Sequence, residues 1–182
     1  FNYSKQLRFM KVYTKQLFFS LAFVFVGLFL AQSVQAQAVN RPWSWKKYSI
    51  KWNMPSGWVV KDKGGDTGKF SASGNRISFV MKPWRDASAT AKDVALRAYK
   101  NATSVTNKKI LSQSYMTTKN GLKKYIILAE GFQKGKKVRI GIMGFINPKT
   151  PVNLYCRFLW WKSDDKISGA LSYKIAQSFS AY

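Results

Sequence analysis

Short runs in which apolar and polar residues alternate recur along the chain from residue 48 onward. Within 76–82, Ile77, Phe79 and Met81 alternate with polar neighbours, which is the period of a strand with one buried face. Runs rich in aromatic and β-branched residues and bounded by Gly, Asn and Pro are typical of strands. These criteria predict strands over 48–52, 58–60, 70–72, 76–82, 109–116, 123–132, 138–146 and 152–161.

The apolar period changes to that of a helix in two places. Small apolar residues recur at helical spacing after Thr90, and Thr90 with Asp93 resembles a capping box, so a helix is predicted over about 90–102. Near the C-terminus apolar residues recur at every fourth position, which predicts a second helix over about 164–178. Two aspartates begin this segment, where the helix dipole favours negative charge.

The order of these elements predicts the fold class. Helices segregated from runs of strands indicate an α+β fold, here an antiparallel sheet of six to eight strands flanked by helices. Asn120-Gly121 and Lys134-Gly135-Lys136 favour tight turns between the later strands, and hence an antiparallel meander. The strand 152–161 is apolar on both faces, so it is expected at the centre of the sheet under a helix.

Residues 48–58 read Tyr-Ser-Ile-Lys-Trp-Asn-Met-Pro-Ser-Gly-Trp, and this opening resembles the start of PsbP-like proteins. The helix after four short strands, the two glycine turns and a final helix ending at Phe179 are also similar to that superfamily. The resemblance covers residues 46–180. It implies an α/β/α sandwich that acts as a binding or accessory module without a cofactor. No functional residue of the family maps onto this sequence.

The N-terminal region has the layout of a secretory signal. Fifteen uncharged residues run from Leu17 to Ala31, with Lys11 and Lys15 before them and small residues after them. A membrane-spanning helix needs about twenty apolar residues, so this stretch is short for one. An uncleaved N-terminal anchor is the alternative.

Cleavage is expected after Ala36 or Ala38, because either position follows a small-x-small sequence. Met10 is the more natural start, which makes residues 1–9 upstream sequence. The predicted organisation is therefore 1–38 as upstream residues plus signal, and 39–182 as one α+β domain. That domain is expected to be exported through the general secretory route to the periplasm or the medium. It is not expected to span a membrane once the signal is cleaved.

Composition removes most familiar catalytic chemistry. The chain has no His and a single Cys, which excludes His/Cys zinc sites, iron–sulfur clusters, imidazole-based triads and an internal disulfide. With Cys156 on the more apolar face of a strand, a core position is predicted for it. Thirty-one basic residues face seven acidic ones. No catalytic residue, metal or cofactor is expected.

The charge that remains is interleaved with aromatic rings. Four basic residues precede position 39, so 39–182 carry 27 basic against 7 acidic residues, a net charge of +20. This exceeds the magnitude of about 2–8 that solubility needs in a small domain. Cations attract anionic groups, and rings stack on bases or sugars or lie at a membrane interface. The predicted contacts are Trp43, Trp45, Lys46, Lys47, Trp84, Arg85, Lys134, Lys136, Lys137, Arg139, Trp161 and Lys162.

The first hypothesis is thus an exported, non-enzymatic binding or accessory module. Its basic, aromatic-rich surface docks on an anionic partner: lipopolysaccharide, anionic lipid, nucleic acid or an acidic protein. The alternative that the composition leaves open is a basic face that serves only solubility. Oligomeric state is undetermined by the sequence.

A second hypothesis is an exported hydrolase of unfamiliar type. It rests on Glu130, or on the Ser-x-x-Lys pairs Ser44–Lys47 and Ser163–Lys166. Glu130 lies among apolar residues of a strand, and if buried it needs a Lys or Arg partner. A third hypothesis is a small apolar ligand held between sheet and helix.

Overall fold

In the computed structural model, the described residues are 39–65, 68–74, 76–84, 86, 88–118, 120–150 and 152–182. The predicted signal segment, its cleavage sites and Arg85 lie outside them. Residues Gln37–Tyr182 form one compact unit with two hydrophobic cores of its own. No helix in the described part of the chain is long and apolar enough to cross a bilayer.

A seven-stranded antiparallel sheet forms the middle layer, in the order β3-β4-β5-β9-β8-β7-β6. A separate three-stranded sheet has the order β1-β2-β10. The strands are β1 (Arg41–Trp45), β2 (Ile50–Met54), β3 (Val59–Lys63), β4 (Phe70–Gly74), β5 (Ile77–Trp84), β6 (Thr106–Thr117), β7 (Lys123–Gln133), β8 (Lys136–Ile146), β9 (Asn153–Trp161) and β10 (Ser180–Ala181).

The two faces of the seven-stranded sheet carry different covers. Helix α1 (Ala91–Lys100) packs through small side chains on β7, β8 and β9. Helix α2 (Ala170–Ser178), entered through a 3₁₀ turn and a π-helical turn, covers the opposite face together with the small sheet. Aromatic rings join that layer, since Trp52 stacks on Phe179 with centroids 5.3 Å apart and meets Phe70 edge-on at 4.9 Å. The result is a three-layer sandwich.

Most sequence predictions of the fold are confirmed. The sheet is antiparallel, β6 to β9 form a meander, and β9 is its central strand. Thr90 and Asp93 form the capping box of α1. Cys156 is fully buried, and burial raises the pKa of its thiol. The segment 48–52 does not belong to the main sheet, because its apolar face packs against that sheet from outside. Strands β1 and β10, which complete the small sheet, were not predicted.

A lysine from the sheet closes each helix. Lys108 Nζ donates to the carbonyl oxygens of Tyr99 and Lys100 at the end of α1, at 2.8 and 2.9 Å. Lys124 Nζ donates to the Ala176 oxygen at 2.9 Å and to the Gln177 oxygen at 3.4 Å, at the end of α2. The last carbonyls of a helix lack intrahelical donors and carry partial negative charge, so each ammonium satisfies both needs.

Gly144 sets how closely α1 approaches the sheet. A Cβ there would lie 2.3 Å from the Ala91 oxygen and 2.6 Å from the Ala95 nitrogen. We expect Gly144→Ala to lower the free energy of unfolding by about 2–3 kcal/mol, because the clash is with helix backbone. Gly141→Ala on the same strand is the control, since its Cβ would meet only side-chain carbons at 3.4 Å or more. Urea denaturation of both variants is the measurement, and equal losses would contradict this account.

The buried ammonium of Lys124 makes stability depend on alkaline pH. Burial lowers its pKa to about 8 in the folded protein, against about 10.4 in an unfolded chain. Between these values the unfolded state binds one more proton, so this group makes the free energy of unfolding rise with pH. Below pH 8 both states are protonated and the destabilisation, on the order of 3 kcal/mol, is fully present.

We therefore expect the difference in unfolding free energy, wild type minus Lys124→Met, to rise by about 2.5 kcal/mol from pH 8 to 10.4. Denaturation at a series of pH values measures this difference. The Cys156 thiol also titrates differently in the two states, so the pair is repeated with Cys156→Ala. A difference that stays constant with pH in both backgrounds would refute the prediction.

Candidate functional site

The structure brings half of the predicted contact residues together at one end of the seven-stranded sheet. Lys136, Lys137, Trp161, Lys162 and Ser163 line one open cleft. Register explains this: β8 begins and β9 ends at the same edge of the sheet, so Val138 lies opposite Trp161. We call these five residues the basic cleft.

A tight turn delivers the lysines to this place. Lys134 and Gly135 have φ of +50° and +73°, the left-handed conformation at both central positions that a two-residue hairpin turn requires. The turn joins β7 to β8, with Gln133 paired to Lys136. Lys134 and the two lysines that follow the turn are therefore exposed side by side at the sheet end.

Aromatic rings lie beneath these lysines. Lys136 Nζ is 5.9 Å from the centroid of the Trp161 ring, and Lys137 Nζ is 5.9 Å from that of Phe132. Alternation along β8 directs these two lysines to opposite faces of the sheet. No described carboxylate lies within ion-pair distance of Lys134, Lys136 or Lys137. Their charges are available to a partner.

Arg139 is differently placed, because two carboxylates hold it. Its Nη1 donates to Glu130 Oε2 at 2.6 Å, and its Nε donates to Asp165 Oδ2 at 3.0 Å. The other Asp165 oxygen accepts from Trp160 Nε1 at 3.0 Å, and Lys162 Nζ lies 4.0 Å from Glu130. The Arg139 side chain is 13% exposed. Among the described contact residues, Arg139 is thus the one held by two carboxylates within the protein, while Lys162 lies at the limit of ion-pair distance from Glu130.

The remaining predicted contacts lie elsewhere. Lys46 and Lys47 are exposed on the short helical turn that follows β1. The next residue, Tyr48, accepts a hydrogen bond through its carbonyl oxygen from Asn147, which follows the C-terminal end of β8. Since β8 has 11 residues, this places them roughly 35 Å from the basic cleft. Trp45 is 7% exposed and packs edge-on against Tyr48, so it belongs to the core and offers no contact surface.

Trp43 and Trp84 are half-buried and make internal contacts. The Trp43 ring meets Phe70 edge-on at 5.4 Å. Trp84 is the last residue of β5 and pairs with Asn153. It is seven residues along the strand from Ile77, which pairs with Trp160 at the end of the sheet that carries the basic cleft, so Trp84 lies roughly 23 Å from that end. Arg85 is outside the described residues.

The residues of the hydrolase hypothesis do not form a reactive arrangement. Glu130 is the ion-pair partner of Arg139, as its predicted need for a basic partner requires. Among the described residues no hydrogen bond joins Ser44 to Lys47 or Ser163 to Lys166. Within the same part of the chain, no group of three His, Cys, Asp or Glu side chains is placed to hold a metal ion.

An apolar groove of about 250 Å³ adjoins the ionic network on the α2 face. Its floor consists of two rows of paired residues that cross the sheet, Leu128–Gly141–Phe158 and Ile126–Met143. One wall is α2 with Tyr173 and Ala176, and the other is the edge strand β6. At the cleft end the groove stops at Trp160 and Asp165, beside the next row, Glu130–Arg139–Trp160.

The residues of this groove were not predicted as a site, although an apolar ligand between sheet and helix was one of the hypotheses. A signal is present in β6, where Ser112, Ser114 and Met116 occupy alternate positions and all line the groove. Two serines on the inner side of a strand indicate a face that no helix covers. These serines indicate a groove only when the position of α2 on the sheet is known.

Solved structures share this architecture at low sequence identity. The solution structure of cyanobacterial PsbP (CyanoP) from Synechocystis sp. PCC 6803 matches with a TM-score of 0.59 and 14% identity, over 78% of this chain and 91% of that one. The Saccharomyces cerevisiae Ran-binding protein Mog1p matches with a TM-score of 0.54 and 10% identity, over 79% of this chain and 96% of that one. A Bacteroides thetaiotaomicron structure matches with a TM-score of 0.51 and 13% identity, over 80% of this chain and 49% of that one. No family model and no curated protein matches the sequence.

These matches confirm the predicted resemblance at the level of the fold. The chain has the PsbP-like α+β fold, with the described antiparallel sheet between helical layers. At 10–14% identity the likeness defines the fold and transfers no function.

The two ion pairs of Arg139 lead to a prediction about stability. We expect Arg139→Met to lower the unfolding free energy by about 2 kcal/mol, because Glu130 and Asp165 lose their shared cation. Arg139→Lys should recover only part of this, since one ammonium lacks the planar fork that reaches both. Arg76→Met is the control, because Arg76 pairs with Asp164 while 75% exposed and should cost less than about 1 kcal/mol. Equal losses in the Arg139 and Arg76 variants, measured by urea denaturation, would contradict this.

Proposed function

We propose that this chain is an exported, non-enzymatic binding module that docks through the basic cleft on an anionic partner. The observation that carries the proposal is that Lys136, Lys137 and Lys162 line one cleft with Trp161 at the end of the sheet, with Lys134 beside them. Lys136 and Lys162 are 26 positions apart in the sequence, yet the register of β8 and β9 brings them to one edge of the sheet. Export is inferred from the layout of the N-terminal residues.

The physical chemistry of the basic cleft suits an extended anionic surface. Several lysines without carboxylate partners give an electrostatic attraction that is screened by salt. The Trp161 ring adds a face on which a sugar or base can stack, or which can lie at a membrane interface. Lipopolysaccharide, anionic lipid, nucleic acid and an acidic protein share the required charge. Binding another macromolecule is within the capacity of the fold, as the name of the Ran-binding neighbour shows for that protein.

The partners of the carboxylates favour a binding role over catalysis. Glu130, Asp164 and Asp165 are all engaged by arginines near the cleft. Hydrogen bonds from Thr90 lower the pKa of Asp93, and hydrogen bonds from Ser71 and Lys69 lower that of Asp62. A lowered pKa keeps Asp93 and Asp62 ionised, so neither is suited to donate a proton.

The test is a salt titration of residues 37–182 against phosphatidylglycerol vesicles, lipopolysaccharide and duplex DNA. We expect binding to one of these surfaces to fall steeply with salt. The triple variant Lys134→Glu/Lys136→Glu/Lys137→Glu should bind at least about 100-fold more weakly, since each lysine near an anionic surface contributes about 1 kcal/mol and each glutamate adds repulsion.

A matched control separates the basic cleft from total charge. Lys63→Glu/Lys123→Glu/Lys149→Glu makes the same change in net charge at exposed lysines away from the cleft. We expect its binding to weaken less than tenfold. Equal weakening in both triple variants would mean that total charge, and not the basic cleft, governs binding, and equally weak binding to all three surfaces would mean that the charge has no docking role.

A further inference from the structure

We propose that the apolar groove binds a single acyl chain whose anionic head group lies at the Arg139 end, against Lys137 and Lys162. This inference rests on the proposed function, because it identifies the anionic partner as an amphiphile with one chain inside the protein. Three observations carry it: the shape of the groove floor, the charge at one end, and the size of the space.

The floor of the groove is linear and apolar. Two consecutive cross-strand rows supply Leu128 with Gly141 and Ile126 with Met143, and no charged side chain interrupts them. Gly141 deepens the floor at its midpoint, because no side chain rises there. The walls follow the same direction, with α2 on one side and alternate β6 residues on the other. A straight hydrocarbon chain lies along such a channel, while a broad ring system does not.

Charge distinguishes the two ends. Beyond Trp160 and Asp165 the groove meets the row of Glu130 and Arg139, where Lys162 lies 4.0 Å from Glu130. Lys137 lies on the same face, above Phe132. Three cations thus face two carboxylates there. At the opposite end Lys124 is covered by the C-terminus of α2, and its ammonium is bonded to the helix carbonyls. A head group is therefore attracted to one end only, and the attraction selects an anion.

The space fits one chain. A volume of about 250 Å³ lies just below the roughly 300–1,000 Å³ of typical ligand pockets, so it holds part of a lipid and leaves the head group outside. Ser112, Ser114 and Tyr173 along the rim keep the mouth polar. The chain enters through that rim while the head group remains in contact with water and lysines.

The experiment measures displacement of cis-parinaric acid from residues 37–182 by saturated fatty acids of 8 to 16 carbons, below their micellar concentrations. We expect affinity to increase about fourfold for each added methylene until the groove is full, and then to level off. The matching primary alcohols, which lack the anion, should bind at least tenfold more weakly. Lysophosphatidylglycerol against lysophosphatidylcholine distinguishes a lipid head group from a free carboxylate as the source of the anion.

Two variants of neighbouring residues separate the groove from the rest of the surface. Ser114→Trp fills the groove from an exposed edge-strand position that accepts an aromatic residue, and should weaken fatty acid binding at least tenfold. Gln113→Trp places the same ring on the other face of β6 and should leave binding within twofold. Ser112→Phe is a second filling variant if Ser114→Trp does not fold, and thermal unfolding monitors all three.

The outcomes are distinct from those of the proposed function. If Ser114→Trp and Ser112→Phe bind fatty acid as wild type does, or if affinity is independent of chain length, the groove is not the site and this inference fails. The basic cleft then still stands or falls by its own salt titration. If Lys137→Glu/Lys162→Glu leaves the preference for acid over alcohol unchanged, the assigned head-group position is overturned.

Discussion

The scarcity of carboxylates is the constraint on which the rest of this structure depends. Thirty-one basic side chains share seven acidic ones, so most cations cannot find an acidic partner. Every described carboxylate is engaged: five accept from a basic side chain, and Asp93 closes the capping box of α1. Where a lysine is buried or half-buried without a carboxylate partner, the fold supplies a different acceptor. Lys108 and Lys124 each end on the carbonyl oxygens at a helix C-terminus.

Both helices are linked to the sheet by the same interaction, a lysine ammonium bonded to the carbonyl oxygens at the helix C-terminus. Lys108 and Lys124 lie on adjacent strands and close helices on opposite faces. The helix dipole makes a C-terminus an acceptor for positive charge, so a chain with few acids can still bury an ammonium. The cost appears in the lowered pKa of both lysines, because burial disfavours the charged form. The lysines that find neither carboxylate nor helix end remain at the surface, and those around Trp161 form the basic cleft.

The sequence was sufficient for the parts of the fold that depend on local pattern. Alternation along 76–82, the capping box at Thr90 and the apolar faces of 152–161 all describe interactions between near neighbours, and each prediction is confirmed. The need of Glu130 for a basic partner was also visible. Which partner it has depends on register, because Arg139 lies opposite only when β7 and β8 pair through the turn at Lys134.

The candidate site was less accessible to sequence reasoning, for a related physical reason. Charge and aromatic rings mark residues that can bind an anion, yet they do not show which of them share a surface. Trp45 and Trp161 are equivalent in that pattern, but one belongs to a buried core and the other lines a cleft. Lys124 has no local feature that separates it from Lys123, and its burial follows from the position of α2, 52 residues away. Long-range packing decides these cases.

The groove follows from a mismatch between the widths of the layers. Seven strands form the middle layer, whereas the α2 face is covered by a nine-residue helix and three short strands. Those elements share one core with β4, β5 and β9 and with the end of β8, where Phe145 meets Phe179 at 5.4 Å. The inner sides of β6 and β7 extend past that cover, so Ile126 and Leu128 stay half-buried although they are apolar. An additional helix would have sealed this strip. Its absence from the described residues leaves apolar surface next to the surplus of cations, and that juxtaposition is the physical basis for an amphiphilic ligand.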